Sequence, residues 1–319
     1  MNEYAHFARR ATRGIIYFVA GTRTAGEEGD HTSGMSLIAL SDHVIVNGRL
    51  LPHDEAQISL FSQALFFSFG VYESIQIEGG RAFHLDEHLD RLFQSAYILQ
   101  LPMPYTRADI RGWFERLAET DHIRESLLRI VVFGPNDDED TLVYILPLPL
   151  PTYPETYRTE GAAAITFEGT RPLPQAKTLN TLINYLALRR ARQVGAHEAF
   201  LINPAGCLTE GSRSNLFVLD RGRLITPPAE EVLSGITRDL VWRLAEARGI
   251  EVVEESVVLS ELHEKQEMFV TSTSMHIMPI ITVDGKAIGS GRIGPVTRTL
   301  IADFEAYYLR EMGREAAIG

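Results

Sequence analysis

A cluster of prolines near the middle of the sequence divides the chain into two parts. The prolines are Pro147, Pro149, Pro151 and Pro154. Each lacks a backbone donor and fixes its own φ angle, so the cluster interrupts both helices and sheet pairing. We interpret residues 151–158 as a stiff connection between a small α+β domain at 41–150 and a larger domain at 159–319.

Hydrophobic periodicity on both sides of the connection predicts a mixed α/β (α+β) fold. Asn47-Gly48 lies between two strand-like runs and is typical of a tight hairpin. The apolar stripe Leu85, Leu89, Leu92, Ala96 and Leu99 predicts a helix at 84–99. A second stripe, Leu179, Leu182, Ile183, Leu186 and Ala187, predicts a helix at 179–194 that buries this face. Further strands are predicted at 70–77, 126–133, 141–148, 163–167, 198–203, 215–219, 223–226, 251–253, 268–271 and 279–283, and a third helix at 236–248.

Composition excludes several classes of function. The formal charge of -12 argues against nucleic acid or an anionic membrane as partner, because a net anion gains nothing there without a dense basic patch. No apolar run approaches the roughly 18 residues that a membrane helix requires. The single cysteine, Cys207, fits a reducing compartment, so we expect a cytoplasmic protein. We interpret residues 1–40 as an N-terminal extension whose first part, to about residue 34, is loosely ordered or precedes a start at Met35.

Lys177 and Glu210 are the candidates for chemistry. A lysine amine condenses with an aldehyde and, once displaced, moves protons. A glutamate can hold a pyridine nitrogen protonated so that the ring accepts electron density. Taken singly, a solvated loop lysine and a turn carboxylate paired with Arg213 are the more common alternatives.

Three further segments carry groups suited to phosphate. In SGITRD, Gly235 permits close approach, and the amides of Ile236 and Thr237 open a helix where an anion is favoured. TSTS at 271–274 offers hydroxyl groups. Arg91 in HLDEHLDRL can grip phosphate with two donors. A plain N-cap, a polar strand end and an Arg91–Glu87 surface pair are the respective alternatives. Together with Lys177 and Glu210, the series predicts pyridoxal 5'-phosphate as cofactor.

Two other chemistries are disfavoured by the same sequence. His84 and His88 lie one helical turn apart, but no third ligand is in register, so we expect no metal. GSRSN lacks the second glycine of a nucleophile elbow, which argues against a serine hydrolase.

The ordered motifs resemble the fold type IV family of pyridoxal phosphate enzymes, which includes branched-chain and D-amino acid aminotransferases. The motifs are FGVYESIQ, HLDEHLDRL, KTLN, LTEGSRSN, SGITRD and FVTSTS, and the resemblance runs from about Ser41 to Phe304. It implies two α/β domains with the cofactor in the cleft between them, usually in a homodimer. By resemblance Lys177 is the Schiff-base and proton-shuttle lysine and Glu210 the pyridine partner. The implied phosphate contacts are Arg91, Ile236, Thr237 and Thr273.

Substrate choice is less clear from the resemblance, because the sequence departs from each branch. Tyr72, Ser74 and Gln76 replace the Phe, Gly and Arg of the branched-chain pattern, and the arginine and histidine carboxylate trap of the D-amino acid enzymes is missing from VVFGPNDDED. Arg129 resembles a strand arginine of the branched-chain group. We take Tyr72, Gln76, Arg129 and Ser274 as candidate substrate contacts.

The resemblance implies an aminotransferase that works by a ping-pong mechanism. The expected partners are an amino donor, with branched-chain L-amino acids favoured, and a 2-oxo acid such as 2-oxoglutarate. A D-amino acid or (R)-amine transaminase is the alternative, followed by an aminodeoxychorismate lyase. A binding protein that keeps the fold is the alternative outside enzymes.

Overall fold

Two β-sheets carry the fold in the computed structural model, which describes residues 41–135 and 140–313. The expected N-terminal extension and the acidic residues 137–139 lie outside the described residues. The division of the chain into two domains at residues 151–158 stays a prediction. None of the helices that the described residues form is both long and apolar enough to cross a membrane.

The first sheet has six strands and is antiparallel throughout. Its strands are β1 (His43–Val46), β2 (Arg49–Pro52), β3 (Gly70–Glu78), β4 (Arg81–Ala82), β5 (Ser126–Phe133) and β6 (Leu142–Leu148), in the order β2-β1-β6-β5-β3-β4. The helices of this half are α1 (Gln63–Phe67), α2 (Leu85–Ile98) and α3 (Arg107–Thr120). The stripe on α2 packs as predicted, with Leu89, Leu92 and Ala96 buried in one core with the sheet.

The second sheet has ten strands and mixes parallel with antiparallel pairs. Its strands are β7 (Ala162–Glu168), β8 (Glu198–Ile202), β9 (Cys207–Gly211), β10 (Asn215–Asp220), β11 (Arg223–Thr226), β12 (Val252–Glu254), β13 (Val257–Val258), β14 (Glu267–Ser272), β15 (His276–Val283) and β16 (Lys286–Ala287). The order is β12-β11-β10-β14-β15-β7-β8-β9-β13, with β16 paired to β15. The helices are α4 (Glu155–Thr159), α5 (Leu182–Gln193), α6 (Ile236–Ala247) and α7 (Pro295–Glu311).

Helices α6 and α7 cover one side of this sheet. Val241 of α6 and Phe304 of α7 share a buried cluster with the stacked rings of Phe217 and Phe269 from β10 and β14. This packing holds the N-terminal end of α6 in a fixed place at the sheet edge.

Helices α3 and α7 were not predicted, although both carry recognisable start signals. Thr106 and Asp109 form a reciprocal capping box at the start of α3. Pro295 lies in the first turn of α7, directly after Gly294.

The prediction for the helix at 179–194 was wrong at its start and about its buried face. The backbone before the helix pairs with β3 instead, where Leu179 N–H donates to Gly70 O at 2.9 Å and Thr178 bridges Val71. The helix therefore begins only at Leu182. Leu182 and Leu186 are exposed, because Ala187 and Ala191 form the buried face.

The proline cluster also interrupts less than expected. Pro147 lies inside β6 and is paired with Leu128 of β5. The irregular connection is therefore confined to residues 149–154, and α4 follows it.

Candidate active site

Lys177 is held from two sides by its backbone. Tyr72 N–H of β3 donates to Lys177 O at 3.0 Å, and Lys177 N–H donates to Ser95 Oγ of α2 at 3.0 Å. The Lys177 Nζ atom lies 4.7 Å from the centroid of the Tyr72 ring. The lysine therefore projects from a fixed strand pairing rather than from a free loop.

Burial and nearby charges change the acidity of both Lys177 and Tyr72. Loss of hydration, together with the cations Arg91 and Arg171, holds the pKa of the Lys177 ammonium below its ordinary value. Burial favours the neutral phenol of Tyr72, yet Lys177 and then Arg129 leave the pKa of Tyr72 below its ordinary value. A lowered lysine pKa increases the neutral, nucleophilic fraction of the amine near neutral pH.

Glu210, at the end of β9, forms a buried ion pair with Arg171 rather than with Arg213. Arg171 Nε donates to Glu210 Oε1. The same guanidinium donates to Ala176 O at 2.9 Å and to Pro174 O. Arg171 therefore fixes Glu210 relative to the segment that leads into Lys177. Sequence reasoning missed this residue, because an arginine among prolines carries no local pattern.

Arg91 of α2 pairs with buried Glu73 of β3 and not with Glu87. Arg91 Nε and Nη2 donate to the two carboxylate oxygens of Glu73 at 2.7 and 2.8 Å, while Glu87 pairs with His84. Burial opposes ionisation, but Arg91 and then His88 hold the pKa of the Glu73 carboxyl well below its usual range. Arg91 Nη1 also donates to Ser234 O at 2.8 Å, which connects α2 to the segment before α6.

The N-terminal end of α6 lies at the cavity with its first amides uncapped. Gly235 is the N-cap and no side chain caps this end. The first amides of a helix have no acceptor within it, so Ile236 and Thr237 offer donors to an anion. A Cβ at Gly235 would overlap Asn215 Oδ1, and Asn215 itself donates to Leu233 O at 2.8 Å. Glycine is required here for close packing rather than for an unusual φ.

The hydroxyl cluster at 271–274 is divided between the cavity and a neighbouring contact. Thr271, Ser272 and Thr273 line the cavity. Thr271 Oγ1 is buried without a hydrogen-bond partner. Ser274 Oγ instead lies 3.0 Å from the hydroxyl of Tyr153 and does not line the cavity. Thr271 was in the hydroxyl segment recognised from the sequence, but Thr273 was the one singled out.

The candidate substrate residues are not all brought together. Tyr72 lines the cavity. The guanidinium carbon of Arg129 lies 4.9 Å from the centroid of the Tyr72 ring, and Arg129 Nε is buried without a partner. Gln76 does not line the cavity: its Nε2 donates to Tyr308 Oη at 2.8 Å and its Oε1 lies 3.1 Å from His276 Nε2.

The cavity that these residues surround contains about 590 Å³ of space, part of it at an open mouth. Residues of both sheets contribute to it, including Tyr72 and Arg91 from the first half and Lys177, Glu210 and Thr237 from the second. Within the described part of the chain, no group of three or more His, Cys, Asp or Glu side chains is arranged to hold a metal ion.

These residues fit a phosphorylated pyridine aldehyde. The uncapped end of α6 and the unpartnered Thr271 hydroxyl suit a phosphate, Lys177 supplies the amine, and Glu210 supplies a fixed carboxylate for the ring nitrogen.

Comparison with known proteins agrees with this geometry. The family model "Amino-transferase class IV" matches residues 70–283. A putative branched-chain-amino-acid aminotransferase of Methanocaldococcus jannaschii is 33% identical over 82% of this chain and 95% of its own. A D-alanine aminotransferase of Bacillus licheniformis is 31% identical over 85% of this chain and 99% of its own.

Solved structures give the same result. A branched-chain amino acid aminotransferase from T.th., solved with pyridoxamine 5'-phosphate, aligns with a TM-score of 0.79 at 28% identity, covering 87% of this chain and 96% of that chain. Pyridoxal 5'-phosphate is the cofactor of this family. The chain therefore belongs to the class IV aminotransferases of fold type IV and is a transaminase that uses pyridoxal 5'-phosphate.

Proposed function

We propose that this transaminase moves an amino group from an amino acid to a 2-oxo acid such as 2-oxoglutarate by a ping-pong mechanism, with branched-chain L-amino acids as the favoured donors. The observation that carries the proposal is one cavity that contains Lys177, Glu210, Arg91 and the uncapped end of α6. The likeness to enzymes named branched-chain aminotransferases supports the donor class.

We assign the cofactor contacts as follows. Lys177 holds the aldehyde end, Glu210 holds the ring nitrogen, and Arg91, Ile236, Thr237 and Thr273 hold the phosphate. When bound, the cofactor supplies an aldehyde that condenses with amines and a ring that accepts electron density.

Lys177 moves the proton between the substrate Cα and the cofactor. Its lowered pKa suits this role, because a base with a pKa nearer neutrality takes up and releases protons at working pH. Arg171 keeps the Glu210 carboxylate in place while this happens, since it binds the carboxylate and the segment before Lys177 at once.

Replacing Lys177 tests the assignment of the catalytic base. Lys177→Ala removes both the amine and the proton carrier, so we expect loss of the visible band of the cofactor-linked enzyme and a fall in turnover of about 10³-fold or more. Absorbance and steady-state rates are the measurements. Lys286→Ala is the control, because Lys286 is exposed on β16 and does not line the cavity. Retained turnover in Lys177→Ala would refute the role.

Separate titrations with L-leucine and D-alanine test the donor class. Bleaching of the visible band by L-leucine alone supports the proposal. Bleaching by D-alanine alone favours the second candidate, a D-amino acid transaminase, which the likeness to D-alanine aminotransferases supports. No band after addition of pyridoxal 5'-phosphate would contradict both.

We further propose that the enzyme acts as a homodimer in the cytoplasm. Supporting the dimer is an apolar segment that is exposed in one chain, with Leu60 80%, Phe61 91%, Phe66 76% and Phe67 74% accessible. The segment leads directly into β3, which carries Tyr72 to the cavity, so a second copy that covers it would also approach the cavity. Supporting the cytoplasm is Cys207, a free buried thiol.

A further inference from the structure

The cavity has more positive charge than its own carboxylates neutralise. Arg91 is paired with Glu73, and Arg171 is paired with Glu210. Arg213 also lines the cavity, but no carboxylate among the described residues forms an ion pair with it. A buried cation without a counter-ion is costly, so a site of this kind favours an anionic ligand.

The surroundings of Arg213 leave its donors largely unused. Arg213 Nε is buried without a hydrogen-bond partner, and Nη2 has only a long contact of 3.4 Å to His197 O. The guanidinium carbon lies 5.5 Å from the centroid of the Tyr153 ring. Burial, then the cations Arg213 and Arg192, lower the pKa of His197 to about 3, so the neighbouring imidazole stays neutral. A planar guanidinium with free donors matches a carboxylate.

The turn that carries Arg213 is fixed on both sides. Buried Glu198 accepts hydrogen bonds from Ser212 N–H at 3.0 Å and from Ser214 Oγ at 2.8 Å. Asn184 Nδ2 donates to Ser212 O at 3.0 Å. A side chain presented from a rigid turn loses little conformational entropy when it binds, so Arg213 is preorganised.

We propose that Arg213 binds the α-carboxylate of the amino-acid donor and of the 2-oxo acid acceptor. This inference rests on the proposed function, because the substrate then brings a carboxylate beside the amine that Lys177 exchanges. The phosphate does not account for Arg213, since the end of α6, Thr271 and Arg91 already provide its contacts. Arg129, the arginine favoured by the sequence, lies beside the Tyr72 ring and outside the cavity lining.

Calorimetric titration of the cofactor-loaded enzyme with 4-methylvalerate tests the proposal, because this acid has a carboxylate and no amine to react. Arg213→Gln should raise its dissociation constant about tenfold or more, since a charge-assisted hydrogen bond is lost. Arg213→Lys keeps the charge and should recover part of the affinity. Arg192→Gln is the matched control, because it removes an exposed cation near His197 that does not line the cavity. Arg129→Gln is the comparator.

Single-turnover kinetics give the second readout. For L-leucine, or for D-alanine where that is the donor, Arg213→Gln should lower the rate constant over the dissociation constant about tenfold or more. For 3-methylbutylamine, which has leucine's side chain and amine but no carboxylate, the same variant should change nothing. Retained band intensity and thermal midpoint in Arg213→Lys show that the fold is intact.

Three results would overturn the proposal. They are unchanged carboxylate affinity in Arg213→Gln, an equal loss for the amine that lacks a carboxylate, and an effect confined to dicarboxylates. A wild-type protein that binds 4-methylvalerate through Arg213 but shows no cofactor band would contradict the proposed function and leave the carboxylate site standing. A normal band with carboxylate binding that depends only on Arg129 would do the reverse.

Discussion

At the scale of single residues, each carboxylate near the cavity is bound to one particular arginine. Glu73 accepts two hydrogen bonds from Arg91, and Glu210 accepts one from Arg171. These pairs are buried, so removal of one partner leaves a charge that neither water nor another group compensates. Arg213 differs from Arg91 and Arg171 because it has no such partner among the residues that the structure describes.

Removal of the Glu73 charge should destabilise the protein. Glu73→Gln leaves Arg91 without its counter-ion, and we expect the free energy of unfolding to fall by about 3 kcal/mol. Urea unfolding measures it. Glu87→Gln is the control, because Glu87 pairs with His84 on the exposed side of α2 and should change stability by less than about 0.5 kcal/mol. Equal effects of the two variants would show that the Glu73–Arg91 pair is not structural.

His197 should make the fold sensitive to acid. Its Nε2 contacts Met275 Sδ at 3.1 Å, and its pKa is lowered to about 3, first by burial and then by Arg213 and Arg192. The unfolded chain takes up this proton below about pH 6.5 whereas the folded chain does not, so stability is full above that pH and falls as the pH drops toward 3.

Unfolding at pH 7 and pH 5 checks this. His197→Gln should lose about 2 kcal/mol less than the wild type between the two pH values, which corresponds to about 1.5 pH units of linked protonation. The same loss in both proteins would mean that His197 is protonated in the folded state.

At the scale of elements, the cavity depends on backbone segments that approach closely. The segment 177–179 pairs with β3, and the first turn of α6 lies against Asn215 because Gly235 has no side chain. Small shifts of these segments would move the amine and the phosphate donors apart.

Gly235→Ala should therefore weaken cofactor binding. The added Cβ overlaps Asn215 Oδ1, so the start of α6 or the Asn215 side chain has to move. We expect the dissociation constant of pyridoxal 5'-phosphate to rise about tenfold or more, measured by titration of the apoprotein. Gly112→Ala is the control, because a Cβ at Gly112 of α3 meets no atom within 4 Å. Unchanged affinity in Gly235→Ala would remove α6 from the phosphate site.

At the scale of the whole molecule, the segment 60–67 exposes more large apolar surface than a monomer usually tolerates. Replacing Phe61 and Phe66 by serine should raise the dimer dissociation constant about 100-fold or more, since buried aromatic anchors dominate interfaces. Sedimentation equilibrium measures it. Tyr97→Ser is the control, because Tyr97 is 77% exposed on α2, away in sequence from the segment. A wild-type monomer, or an unchanged double variant, would contradict the dimer.

The sequence by itself determined the cofactor, the family and most of the elements. Local signals suffice for these: the Asn47-Gly48 hairpin forms with φ of 46° and 76°, and the α2 stripe is buried. Lys177, Glu210, Ile236 and Thr237 line one cavity, as their motif order predicted. Start signals for α3 and α7 were present as well.

Only the tertiary structure decided which groups meet. Arg171 pairs with Glu210, 39 residues away, and residues 177–179 extend the pairing of β3 rather than the helix that their apolar spacing predicted. Gln76 joins Tyr308 and His276 instead of the cavity. Periodicity records only how a segment faces its own neighbours. The choice among several possible partners for a buried charge or an unpaired backbone is settled by distances that exist only once both sheets have packed.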